Sequence, residues 1–476
     1  MELNENELRQ MGERVVDFIT RYLLALDERP VTPPGITPES LHALLDEPLP
    51  WEAQGAGRAL DDFVNKVAQN AAGVGHPRFF AWVRSSPMAA AVYAEALAAA
   101  LNNSVAVWEG APSATEVERR VIEWFKEMSG YAPTAAGLLT SGGSIANLTG
   151  LLAARTALDP HVRFEGLAGK PPMTVYATHE SHLSVRKAAE MMGIGRRYLR
   201  EVAMDAELRM SPENLRRQIK DDLDAGLRPM AVVATTGTTN TGACDDLAAL
   251  GAVCRDMGVW FHVDGAYGGW ANLVPDRRHL VDGLTYADSF VLDPHKGLMM
   301  PYEVGCILVK DPEILYQTFA SYAEYLPNSR FDDPTAPFNF RDYGPQLSRG
   351  FRALKIYLAL KTYGVRAFAD EIARQYALCD QMVERIREAR DFEMVAPAPL
   401  GTVAFRYVGE GADDEEHLNR LNRDILARIR ERGNVFMAGT QIGGTVALRL
   451  CFLSHRTGEA DLDFVLGEIR EAALTS

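Results

Sequence analysis

The run Ser289-Phe290-Val291-Leu292-Asp293-Pro294-His295-Lys296-Gly297 reads as a short apolar strand ending in a turn that delivers a histidine and then a lysine. The chain has nine lysines against forty arginines, so a lysine at a strand end stands out. Arginine serves a surface as well or better, but only lysine can lose its proton and form a Schiff base. Taken alone, Lys296 reads as an ordinary solvated side chain. Its meaning depends on what surrounds it.

Four further polar groups fall where strands should end. Thr140-Ser141-Gly142-Gly143-Ser144-Ile145-Ala146-Asn147 joins a strand to a helix. Its glycines permit close approach, and the free amides of a helix start attract an anion such as phosphate. It is neither a Walker loop nor a GxGxxG, and a plain N-cap turn fits it as well. His182, in Thr178-His179-Glu180-Ser181-His182, has no neighbours that complete a metal-ligand set, so no metal is expected. Thr235-Thr236-Gly237-Thr238-Thr239-Asn240-Thr241-Gly242 is a hydroxyl-rich loop that turns or binds an anion. In Phe261-His262-Val263-Asp264-Gly265-Ala266-Tyr267, Asp264 ends an apolar strand, and a carboxylate there needs a cationic or hydrogen-bonding partner. A Schiff-base lysine, an aspartate for a ring nitrogen, a phosphate cradle and a stacking histidine together are what pyridoxal phosphate requires.

The elements that must position these groups alternate. Strands are expected at 137–140, 173–178, 197–202, 230–235, 259–264, 288–292 and 306–310, with helices between most of them, as at 183–192, 212–224 and 247–257. Such alternation predicts a mainly parallel sheet covered on both faces, with ligands beyond the carboxyl ends of its strands. An amphipathic helix over 4–26 and a proline-rich tether precede it, and the helix should pack on another domain or subunit. A helix over 366–390 leads to strands at 402–407 and 446–452 with a helix at 415–432. The expected division is an N-terminal helical arm (1–88), a large α/β domain (89–365) and a small C-terminal α+β domain (366–476).

Composition narrows the function. With 476 residues and 47% hydrophobic content, the chain can bury a large core. Its net charge of −15 argues against nucleic acid or an anionic membrane as partner. The acidic start lacks the regions of a signal peptide, and the apolar run 88–101 is too short to span a bilayer. Five cysteines without CxxC spacing suggest reduced thiols. A cytoplasmic protein is expected.

In these ordered motifs, from the first helix to the last strand, the chain resembles the group II pyridoxal-phosphate-dependent amino acid decarboxylases of the aromatic-L-amino-acid type. The resemblance implies a type I aminotransferase-like fold, the cofactor pyridoxal 5'-phosphate, and a homodimer with active sites at the subunit interface. It implies that Lys296 forms the Schiff base, Asp264 pairs with the pyridinium nitrogen and His182 stacks on the ring. Gly143, Ser144 and His295 would bind the phosphate, while Thr239 and Ala266 line the cofactor site. Tyr325, on the loop after the lysine, would protonate Cα, and tyrosine rather than phenylalanine there favours plain decarboxylation over aldehyde formation. Phe80, Trp82 and Val83 would form the substrate wall, and Ser348 accompanies phenolic substrates, which favours tyrosine or dopa over tryptophan. The segment His76-Pro77-Arg78-Phe79-Phe80 is also similar to the glutamate decarboxylase branch. A decarboxylase of non-aromatic amino acids, an aromatic aldehyde synthase and a catalytically silent binding subunit are the alternatives. Asp293 stands where relatives often have asparagine, and Gly297 where many have a bulky residue. Partial burial and a cationic ring nearby are expected to lower the pKa of Lys296.

Overall fold

The computed structural model describes residues 2–321, 337–409, 411 and 414–474. The chain divides into two compact units: Met1–Ser86, Glu384–Val395 and Phe405–Ser476 form one, and Pro87–Val383 with Ala396–Ala404 form the other.

The larger unit is built on a seven-stranded sheet. Its strands are β1 (Ala136–Thr140), β2 (Met173–Ala177), β3 (Leu199–Glu201), β4 (Arg228–Thr235), β5 (Trp260–Asp264), β6 (Ser289–Leu292) and β7 (Gly305–Val309), in the order β1-β7-β6-β5-β4-β2-β3. The pairs β2–β3, β2–β4, β4–β5 and β5–β6 are parallel. All five residues of β2 and all four of β6 are buried, as strands covered on both faces must be. Each expected strand is present. That expected at 197–202 shortens because Arg196–Tyr198 forms a 3-10 turn.

Caps delimit the intervening helices. Ser211 accepts from Asn214 N at the start of Pro212–Asp224, and Asp246 accepts from Ala249 N at the start of Leu247–Met257. The latter helix ends at Gly258, whose φ of 66° suits the left-handed conformation. The helix Gly143–Leu158 packs Leu151 and Ala154 into a core with Val175, Val185 and Val233.

β7 runs antiparallel to both its neighbours. A parallel return is usually made through a crossover helix that spans the sheet. The link 293–304 holds only one helical turn, Pro294–Gly297, before the chain re-enters the sheet. The turn carrying Lys296 is thus pinned at both ends by adjacent strands. Register places Thr235 beside Asp264, and Asp264 beside Val291, so the carboxyl ends of β4, β5 and β6 are level.

In the other unit, the helix Glu5–Leu24 opens with a capping box between Asn4 and Glu7. None of its twenty residues is buried, and Leu8 and Met11 are exposed. A four-stranded sheet has the order β10-β11-β9-β8, with β8 at Phe392–Met394, β9 at Thr402–Tyr407, β10 at Ala438–Ile442 and β11 at Thr445–Cys451. β10 and β11 form a hairpin across Gly443-Gly444, both at positive φ, as a tight two-residue turn demands. The expected strands at 402–407 and 446–452 are β9 and β11. β8 and β10 were not expected, because three residues and a half-exposed Ala-Gly-Thr-Gln-Ile carry little apolar pattern.

Candidate active site

Lys296 sits on the single helical turn after β6, half-buried, with Nζ 3.1 Å from Asp293 Oδ2. Burial opposes its charge, yet the carboxylates of Asp293 and Asp264 outweigh burial and hold its pKa above the ordinary range. This corrects the expected lowering. The two carboxylates come from neighbouring strand ends, and their joint field is a product of the sheet. His295 donates from Nδ1 to Val304 O (2.6 Å), which ties the turn to the entry of β7. Its Nε2 lies 3.6 Å from Asp293 Oδ2, and burial keeps its pKa below the usual imidazole value. Asp293 is 2% exposed, and its Oδ1 meets no hydrogen-bond donor among the described residues.

Asp264, 4% exposed at the end of β5, accepts from Ala266 N (3.1 Å) through Oδ1 and from Asn147 Nδ2 (2.8 Å) through Oδ2. Asn147 Oδ1 faces His262 Nε2 at 2.8 Å, and His262 Nδ1 lies 2.7 Å from Ser289 Oγ. Asn147 Nδ2 also donates to Ser184 Oγ (2.9 Å), which lies 2.7 Å from His182 Nδ1. His182 caps the helix Leu183–Met191 by accepting from Ser184 N. Its outer edge is exposed and lines a cleft of about 490 Å³ with Thr178, Ser181, Arg186 and Arg200. Desolvation lowers the His182 pKa, Asp264 opposes the shift and Lys296 adds to it.

The turn Gly142-Gly143 must be bare. A Cβ on Gly143 would lie 2.9 Å from Asp293 Oδ2 and 3.3 Å from Ala266 Cβ, and Gly142 has a φ of 135°. Gly305 presses on the same turn, since its Cβ would come within 2.6 Å of Gly142. Ser144 is exposed at the helix start just beyond. In the hydroxyl-rich loop Thr238 and Thr241 share a hydrogen bond (2.8 Å) and Asn240 donates to Glu180 (3.0 Å), while the buried Oγ1 atoms of Thr235 and Thr236 meet no hydrogen-bond partner among the described residues. Thr239 is half-buried within it, and Ala266 is buried behind Asp264.

Lys296, Asp264, His182, Gly143, Ser144, Thr239, Ala266 and His295 all belong to the larger unit. Ser348, also there, is exposed. Phe80, Trp82 and Val83 belong to the other unit. Phe80 is buried against Phe452 and pairs with the backbone of Phe436. Val83 is buried, and Trp82, 47% exposed with a φ of 57°, packs on Phe79 and Phe436. Tyr325 lies outside the described residues.

Sequence reasoning overlooked Asn147 and His262 as members of the hydrogen-bond set behind Asp264. One signal was available for His262: it precedes Asp264 by two residues, and in a strand that spacing puts both on one face.

The donor set fits a pyridoxal phosphate. A buried carboxylate that accepts from two neutral N–H groups can also meet a ring N–H, a lysine lies nearby for an aldehyde, and a bare glycine turn at a helix start suits a phosphate. With the mainly parallel sheet, this defines an enzyme of the type I pyridoxal-phosphate fold. The family described as the pyridoxal-dependent decarboxylase conserved domain matches residues 38–408. An aromatic-L-amino-acid decarboxylase of Bacillus atrophaeus is 34% identical over 99% of this chain and 97% of its own. A phenylacetaldehyde synthase of Arabidopsis thaliana is 30% identical over 99% and 96%. The crystal structure of Oryza sativa TDC with PLP and tryptamine superposes with a TM-score of 0.94 at 29% identity, covering 100% of this chain and 99% of that one. The chain belongs to the pyridoxal-dependent decarboxylase family. It is a pyridoxal-phosphate-dependent amino acid decarboxylase.

Proposed function

We propose that the substrate is an aromatic L-amino acid, tyrosine or dopa ahead of tryptophan or phenylalanine, converted to its amine and carbon dioxide. The observation that carries this reading is the 34% identity to an aromatic-L-amino-acid decarboxylase along 99% of the chain. Trp82, with its exposed indole, and Ser348 are the proposed determinants on the substrate side, together with Phe80 and Val83.

Lys296 is the amine for the cofactor's aldehyde, and Asp293 Oδ2, at 3.1 Å, holds the proton that this amine must lose. Asp264 holds a proton at the ring nitrogen, His182 supplies the stacking ring, and Gly143, Ser144 and His295 take the phosphate, with Thr239 and Ala266 along the walls. Bound there, pyridoxal phosphate supplies an electron sink for the pair left on Cα when the carboxylate departs. Tyr325 then delivers a proton to Cα, a role supported by the family resemblance.

The active unit is proposed to be a cytoplasmic homodimer with the site at the interface, the arm 1–88 joining the subunits beside a cofactor domain (89–365) and a small domain (366–476). The unburied first helix, with Leu8 and Met11 outward, favours a second copy as its cover. All five cysteines are buried and stand outside any disulfide, and no helix among the described residues is long and apolar enough to cross a membrane.

The test is carbon dioxide release from a panel of amino acids, read together for amine, aldehyde and peroxide. Amine from tyrosine or dopa is expected. Turnover of glutamate alone would replace the aromatic reading, and aldehyde with peroxide would move the enzyme beside its phenylacetaldehyde synthase relative.

A further inference from the structure

Behind Asp264 the hydrogen bonds form one connected set, and each proton in it has one place. Asp264, as a carboxylate, only accepts, so Asn147 must turn its NH2 toward it and its carbonyl toward His262. His262 Nε2 must then carry the ring proton. Its Nδ1 is bare and accepts from Ser289 Oγ, whose oxygen accepts from Trp260 Nε1 (2.8 Å). On the other branch, Ser184 Oγ accepts the second Asn147 hydrogen and gives its own to His182 Nδ1, which also accepts from Ser184 N (3.3 Å). That leaves the His182 proton on Nε2.

Asn147, Ser184, His262 and Ser289 are all buried, so no solvent competes for the bonds among these four. Burial pushes the His262 pKa down to about 4, which keeps the ring neutral at physiological pH. The neutrality matters physically. A lysine or arginine in the place of Asn147 would satisfy Asp264 within the chain and weaken its hold on a ring proton. A neutral amide orients the carboxylate and leaves its charge available.

We propose that Asn147 and His262 are positioning residues of this decarboxylase: they aim Asp264 at the cofactor's ring nitrogen and, through Ser184, set the tautomer of His182. This deepens the proposed function and rests on Asp264 being the carboxylate that meets that nitrogen. Neither side chain touches the reacting atoms.

The test measures pyridoxal-phosphate affinity by titration of the apoenzyme, and the pH midpoint of the visible band of the holoenzyme. Asn147→Ala and His262→Leu are expected to weaken affinity by roughly tenfold to a hundredfold, the range seen when outer partners of a liganding group are removed, and to shift the midpoint. His262→Gln, which keeps an N–H toward Asn147, is expected to recover most of the loss. Gly150→Ala removes no polar atom but places a Cβ 2.6 Å from His262 Cε1, so it should weaken affinity by displacing the ring. If His262→Leu does not fold, His262→Gln and Gly150→Ala decide. Wild-type affinity and midpoint in folded Asn147→Ala and His262→Leu, beside a weakened Asp264→Asn, overturn the inference alone. Equal losses in His262→Gln and His262→Leu overturn it too, since packing would then be the only role. Wild-type behaviour of Asp264→Asn overturns the reading of Asp264, and the inference with it.

Discussion

Two buried carboxylates stand at the ends of adjacent strands, Asp264 after β5 and Asp293 after β6, and they are held in opposite ways. Asp264 meets the neutral donors Ala266 N and Asn147 Nδ2. Asp293 meets a cation, Lys296 at 3.1 Å, and leaves Oδ1 without a donor among the described residues. Equal burial therefore produces different chemistry. Both carboxylates raise the Lys296 pKa through their fields, but Asp293 also bonds the amine directly, whereas Asp264, oriented by amides, keeps its oxygens for a cationic partner from outside the chain. In the proposed function, one aspartate holds a proton on the cofactor and the other holds one on the amine.

The largest test removes the cation. Lys296→Ala should lower steady turnover by on the order of 10³-fold or more, with the fold retained by circular dichroism; undiminished carbon dioxide release would refute its role. Asp264→Asn comes next, with a loss of about 10²- to 10⁴-fold in turnover, because an amide cannot keep the ring nitrogen protonated. A loss no greater than that of Asp293→Asn would erase the distinction between the two carboxylates.

Asp293→Asn should act in a smaller and different way. Without that carboxylate the Lys296 pKa falls toward its ordinary value, so more free amine is present at neutral pH. Capture of unphosphorylated pyridoxal should speed up by roughly tenfold for each pKa unit lost. Stopped-flow measurement of the visible band checks this, and slower capture would show that Asp293 does not restrain the amine.

The smallest effect is on stability. His262 has a folded pKa of about 4 against 6.5 for an ordinary imidazole, because burial disfavours its charge. Between these values the unfolded chain binds more protons at this site, so stability falls as pH drops from 6.5 toward 4, by at most about 1.4 kcal/mol per pH unit. His262→Gln should lose less stability over the same window, compared by urea midpoints at pH 7 and 5. Asp245, whose pKa burial raises to about 6, titrates in both proteins and cancels in the difference. Parallel pH curves for the two would contradict a neutral, buried His262.

Much of this site was legible in the chain itself. Lys296 stood out because a lysine followed an apolar strand, and Asp264 because a carboxylate ended one. Most strands of the large sheet announced themselves by apolar runs between helical patterns; β3, Leu199-Arg200-Glu201, did not. The reversal of β7 was less visible, since it goes with a link that lacks a crossover helix and not with any strand periodicity. The hairpin turn Gly443-Gly444 was a signal left unused.

The partnership of Asn147 with His262 lies beyond local reading, because 115 positions separate them. Register decides it: β5 and β6 pair His262 with Ser289, and the helix Gly143–Leu158 lays Asn147 against the same strand. A slip of one residue would turn His262 to the other face of the sheet. By itself, the sequence determined the elements of the large sheet, the family and the residues at the strand ends, since spacing, capping and strand propensity act between near neighbours. Only the tertiary structure decided the hydrogen-bond partners of Asp264 and Asp293 and the direction of the Lys296 shift. Hydrogen bonds and electrostatic fields depend on distances in space, and those exist only once the strands have taken their order and register.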